Sequence, residues 1–156
     1  MPSKNAVTID QLNLACRHYE EMISAGVTEN LAIRTLELFA DVYAKLRVVG
    51  KASPHHVKHV EKWSRKAMAL RDARPDAKPK DYFRVEHGTP QRGFARMVLA
   101  LQRRNELTED TATDLVKKFY KLAVITLEED QQLNRIARSK VFDTPDARWA
   151  AAGIEF

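Results

Sequence analysis

His55 and His59 stand four apart in the run HHVKH. On a helix that spacing puts both imidazoles on one face, where a pair can clasp zinc. A zinc site needs three or four ligands, and this one supplies two. His56 falls toward the apolar side of the same helix, and Glu61 projects away from the pair. The histidines therefore read as the start of a helix on a basic surface, with no metal and no cofactor. Cys16 is the only cysteine, which excludes an intrachain disulfide and a cysteine-rich metal site. It lies inside an apolar stripe and reads as a small core residue rather than a nucleophile. HGTPQRG separates its two glycines too widely for a phosphate loop, places a proline between them and lacks the Lys-Ser/Thr end. No nucleophile elbow is present. No catalytic residue is assigned.

The segment VEHGTP, residues 85–90, resembles the opening acid-His-x-x-Pro of the His-Asn-His nuclease family. The resemblance implies that His87 would activate water beside a metal. It covers six residues. The family also uses a downstream asparagine and a metal-binding histidine, and His87 is the last histidine of this chain. A metal-dependent nuclease using His87 is thus a remote alternative, and Glu86 and His87 otherwise belong to a loop leading into a helix.

Charge is the stronger signal. From Lys45 to Arg104 there are 16 bases against five acids, a local charge of +11. The whole chain carries +5, so the flanks together carry −6. A basic middle between acidic ends points to an anionic partner.

The elements that position these residues follow from a 3.6-residue apolar period. Ile9, Leu12, Cys16, Tyr19 and Ile23 set a first helix over 9–25, with Gly26 as its stop. Thr28 opens a long second helix, 29–48, apolar almost all round and therefore expected at the centre of a bundle. Ser53-Pro54 signals a third helix over 54–71, with Lys58, Lys62, Arg65 and Lys66 on one basic face. Residues 72–89, with Pro75 and Pro79 and no helical period, form an irregular connector. Tyr82, Phe83 and Val85 in it suit a short strand or a lid, and Arg84 adds to its charge. Thr89-Pro90 starts a fourth helix over 90–104, on which Arg92, Arg96 and Arg103 fall on one line opposite Phe94, Met97, Val98 and Leu101. They are expected to be exposed together, without acidic partners. Thr108 caps a fifth helix, and Thr126 to Glu129 is a capping box that starts a sixth, 127–138, after a tight turn. Glu128, Glu129 and Asp130 in its first turn would repel phosphates, which excludes it as a DNA recognition helix. Thr144-Pro145 starts a last short helix anchored by Trp149.

The expectation is an all-α, single-domain bundle of six to seven helices spanning 1–156, which the connector could also divide into 1–71 and 90–156. The single cysteine and the lack of a signal-peptide run in MPSKNAVTIDQ point to the cytoplasm. No stretch reaches the length of a membrane span, which leaves a membrane out of the expected partners. The function expected is a small basic binding protein, without catalysis. It would engage nucleic acid or a nucleoprotein complex through Arg92, Arg96, Arg103, Lys58, Lys62, Arg65, Lys66 and Arg84. The alternative is a protein-interaction module or inhibitor gripping an acidic protein surface, including one on a second copy of the chain.

Overall fold

The computed structural model describes residues 6–50 and 57–156. Eight helices and two short strands follow one another among these residues: α1 Ile9–Ser24, α2 Glu29–Val48, α3 Arg65–Ala73, α4 Pro79–Tyr82, β1 Phe83–His87, α5 Gln91–Arg103, α6 Glu109–Phe119, β2 Leu122–Thr126, α7 Leu127–Ala137 and α8 Pro145–Ala151. The chain is mostly helical, as the apolar period requires. Its contacts group into two compact units. One comprises Met1–Ser53 and Gln91–Lys118, the other Pro54–Pro90 and Phe119–Phe156.

The first unit holds α1, α2, α5 and most of α6. Thr8 opens α1 with a reciprocal cap: its hydroxyl accepts the Gln11 amide at 3.2 Å, and Gln11 Oε1 accepts the Thr8 amide at 2.9 Å. Gly26, at φ 88°, follows the helix where only a residue without Cβ is unstrained. α2 packs against both α1 and α5, burying Ala32, Ile33, Leu36, Ala40, Tyr43 and Ala44. It is the centre of this unit but is not enclosed. Leu31 and Leu38 keep 57% and 60% of their surface, and Phe39 is half-buried. Two neighbouring helices cover two sides of α2 and leave the side of Leu31 and Leu38 open.

The second unit is built on β2. All five residues of its run Leu122-Ala-Val-Ile-Thr126 are buried. β1 pairs with it antiparallel, from Phe83 opposite Thr126 to His87 opposite Leu122. On its other edge Trp63 makes a parallel bridge to Val124: the Val124 amide donates to Lys62 O at 2.8 Å and the Ser64 amide to Val124 O at 3.0 Å. α3 and α7 pack against the same strand. A strand covered on both faces reads as a continuous apolar run rather than an alternation. Ala123 and Ile125 join Leu133, Ala137, Trp149, Ala152 and Ile154 in the core of this unit.

Three expectations change here. The turn between the fifth and sixth helices is the strand β2. The connector 72–89 contains the short helix α4, which takes in Tyr82, while the strand expected as one possibility there forms as β1 and includes Phe83 and Val85. The third helix begins at Arg65, capped by the Ser64 hydroxyl on the Ala67 amide at 3.1 Å, because residues 62–64 are held extended by β2. Before it lies a single 3-10 turn, Val57–His59. Ser53 and Pro54, the proposed start, lie outside the described residues.

Candidate functional site

The arginine line of α5 is present, but it is not without partners. Arg92 Nε donates to Glu37 Oε1 of α2 at 2.5 Å and its Nη1 to Asn30 Oδ1 at 2.6 Å. Arg96 forks onto Glu29 of α2, with Nε at 2.9 Å. Arg103 Nε meets Glu20 Oε1 of α1 at 2.5 Å. Arg92 and Arg96 thus reach α2, and Arg103 reaches α1. The three arginines clip α5 to its two neighbours in the first unit. The expectation of unpaired arginines fails because their acids come from other helices, not from α5 itself.

The same holds for much of the basic middle. Lys45 pairs with Asp41 at 2.6 Å, Arg47 with Glu109 at 3.7 Å, Lys62 with Asp146 at 3.0 Å, Arg65 with Glu155 at 3.7 Å and Arg104 with Glu106 at 3.0 Å. Lys62 also lies 4.5 Å from the Phe156 ring centre and 5.3 Å from that of Trp149. The acids of the flanks are folded back onto the bases of the middle. Lys58, Lys62, Arg65 and Lys66 do not share a helical face either. Lys58 stands on the 3-10 turn, Lys62 on the extended segment, and Arg65 and Lys66 open α3.

A second set of cations behaves differently. Among the described residues, Lys66, Arg74, Lys78, Lys80 and Arg84 form no ion pair. Arg84 donates instead to the carbonyls of Lys80 at 2.8 Å and Phe83 at 3.0 Å. Arg71 meets only its chain neighbour Asp72, at 3.4 Å and in the open. All six lie between α3 and the start of β1.

Arg71 and Arg74 line a groove of about 360 Å³. Trp63 and Phe83 line it, their rings edge to face at 5.2 Å. The Trp63 indole is fixed by donating Nε1–H to Val60 O at 2.9 Å. The Arg71 guanidinium stacks over Trp63 at 4.8 Å, and Arg74 lies 5.8 Å from the Tyr82 ring centre. Pro79, between Lys78 and Lys80, belongs to the wall. A neighbouring hollow of about 300 Å³ carries Asp81 and Glu128 alongside Lys66 and is less suited to an anion.

The other sequence candidates have packing roles. Cys16 is fully buried, and burial pushes its thiol up to about 12, which leaves it protonated and inert. Glu86 is bound by Arg148 Nη1 at 2.7 Å, and the same nitrogen donates to His87 O at 3.0 Å. The His87 ring meets Tyr120 edge-on at 5.7 Å. Gly88 sits where an added Cβ would fall 2.3 Å from Pro145 Cβ. Residues 86–88 of the nuclease-like segment are thus in contact with Tyr120 and α8. His55 and His56 lie outside the described residues. Among the described ones, no three histidine, cysteine, aspartate or glutamate side chains are placed to hold a metal, and no helix is long and apolar enough to cross a membrane.

The sequence does not reveal the groove, because it places Trp63 within a helix over 54–71 and gives the strand or lid of Phe83 no partner. The pairing of β1 with β2 and of Trp63 with Val124 is what brings them together. No protein-family model, curated protein or solved structure matches the chain.

Proposed function

We propose that this chain is a non-catalytic nucleic-acid-binding protein whose contact surface is the run from Lys66 to Arg84 rather than the arginine line of α5. The supporting observation is selective neutralisation. Among the described residues, most bases of the +11 segment meet a carboxylate, yet Lys66, Arg74, Lys78, Lys80 and Arg84 form no ion pair, and Arg74 lines an aromatic groove. Like charges close together along the chain repel one another, and a polyanion offsets that repulsion while releasing its own condensed counterions. The test is binding of a labelled oligonucleotide across a salt series. Affinity should fall linearly on a log–log plot. Arg74→Glu with Lys80→Glu should lower it at least about tenfold, which corresponds to about 1.4 kcal/mol. Lys117→Glu with Lys118→Glu, on α6, should not. Binding indifferent to salt, or lost only in the α6 pair, would overturn the reading.

A second reading has one observation in its favour. Leu31 and Leu38, seven apart on one face of α2, are both exposed, and an apolar patch of this kind suits a protein contact. Sedimentation of Leu38→Glu against the parent would show whether copies of the chain associate there.

A further inference from the structure

We infer that the Trp63–Phe83 groove seats an unpaired nucleobase, so that the preferred ligand is a single strand rather than a duplex. This inference rests on the nucleic-acid reading above. Phosphates alone would be served by Lys66, Lys78, Lys80 and Arg84 on an open surface. The groove adds features that phosphate recognition does not require. Its walls include an indole held in place by its own hydrogen bond to Val60, a phenyl ring packed edge to face with it, and a guanidinium centred 4.8 Å from the indole centre. About 360 Å³ lies at the small end of the roughly 300–1,000 Å³ usual for ligand pockets.

Every base has a π face and stacks on aromatic rings and on arginine planes with little regard to sequence. Arg71 already lies over one such ring, and 48% of its side-chain surface is exposed, which leaves the guanidinium accessible to a base. Arg74 also lines the groove, within reach of a backbone phosphate once a base has entered. In a duplex both faces of each base are covered by its neighbours, so the groove would have nothing to receive. An acidic peptide would satisfy the cations but not the stack.

The experiment compares four probes on the full chain at one salt concentration: a ten-nucleotide deoxythymidine strand, an abasic strand of equal length, a duplex, and a polyglutamate peptide. Trp63 and Trp149 are the two tryptophans, and Trp149 is fully buried, so quenching by a probe reports on Trp63. The intact strand should bind at least tenfold more tightly than the abasic strand and the duplex, and quench. Trp63→Leu should abolish that difference, and Trp63→Phe should retain part of it. Equal binding of intact and abasic strands refutes the base-seating groove but leaves the nucleic-acid reading standing. Binding of polyglutamate with no binding of any nucleic acid refutes both. The comparison of intact and abasic strands needs no variant, so a misfolded Trp63→Leu does not remove the test.

Discussion

The Ser64 hydroxyl donates to Glu129 Oε2 across 2.7 Å, and the same oxygen accepts the Thr126 amide at 2.9 Å. One buried carboxylate thus joins the caps of α3 and α7. Ser64 Oγ in turn accepts from Ala67, and Thr126 Oγ1 accepts from Glu129, so each cap is closed at both ends. Glu129→Ala should leave a buried hydroxyl and a buried amide without partners and destabilise the fold by about 2–4 kcal/mol. Glu128→Ala, one residue away and exposed, should stay within about 0.5 kcal/mol. Urea unfolding of the two variants side by side checks the contrast.

Arg92 and Glu37 offer a test of whether the arginines of α5 serve packing. Arg92→Glu places two carboxylates together and should lower stability by about 1 kcal/mol at low salt, since partly exposed pairs of this kind are worth little each. The swap Arg92→Glu with Glu37→Arg should recover most of that loss. Both effects should shrink at high salt. Unchanged stability in Arg92→Glu would mean that the pair contributes nothing.

Glu86 and Arg148 should respond asymmetrically. Burial raises the Glu86 carboxyl above the ordinary glutamate range, with its hydrogen bond to Arg148 pulling the other way; the His87 charge also lowers it and Asp130 raises it. A carboxyl raised in the folded chain holds its proton more tightly there than when unfolded. Its contribution is therefore fully present below the ordinary range and declines as pH rises through the raised value. Glu86→Gln should flatten that decline and cost under about 1 kcal/mol at neutral pH, because Arg148 keeps the carbonyls of Ala137, Arg138 and His87. Arg148→Met should cost about 3–5 kcal/mol, since it strands a buried carboxylate and those carbonyls. Stability measured from pH 4 to 8 in about half-unit steps resolves both.

Gly88→Ala should destabilise by about 1–3 kcal/mol through overpacking. The new Cβ would meet Pro145 Cβ at 2.3 Å and Trp149 Cζ2 at 3.0 Å, neither on a flexible side chain. Thermal melting of this variant beside Gly26→Ala separates a steric effect from a conformational one, because Gly26 has open space but a φ of 88°.

Local chemistry made much of the fold readable. Thr126 with Glu129, Thr144 with Pro145, and the stops at Gly26, Gly50 and Gly153 all stand where helix-end chemistry puts them, because each acts over three or four residues. β2 was not readable. Its five residues continue the apolar pattern of α6 without a glycine or proline between them, and a short apolar run suits a buried strand or a helix alike. Phe39, on a helix apolar all round, is half-buried because enclosure depends on how many neighbours arrive. The site was legible in content but not in place. The basic middle is there, yet Glu20, Glu29 and Glu37 lie 55 to 83 residues from the arginines they neutralise, beyond the reach of any rule about neighbours on one helix.

Each compact unit is assembled from two stretches that alternate along the chain, and this bears on synthesis. When α2 leaves the ribosome, the side that receives α5 stays bare until residue 103 has emerged. β1 likewise waits for β2, which ends at Thr126. One unit cannot close before Lys118 is made and the other needs the stretch from Phe119 onward, and a cut between residues 54 and 118 would leave every fragment missing part of both. Long-range pairing of this kind slows folding and prolongs the exposure of apolar surface. The nascent chain should therefore become protease-resistant late, the first unit only after Lys118 has cleared the exit tunnel and the second only after Trp149 and Ile154 have followed.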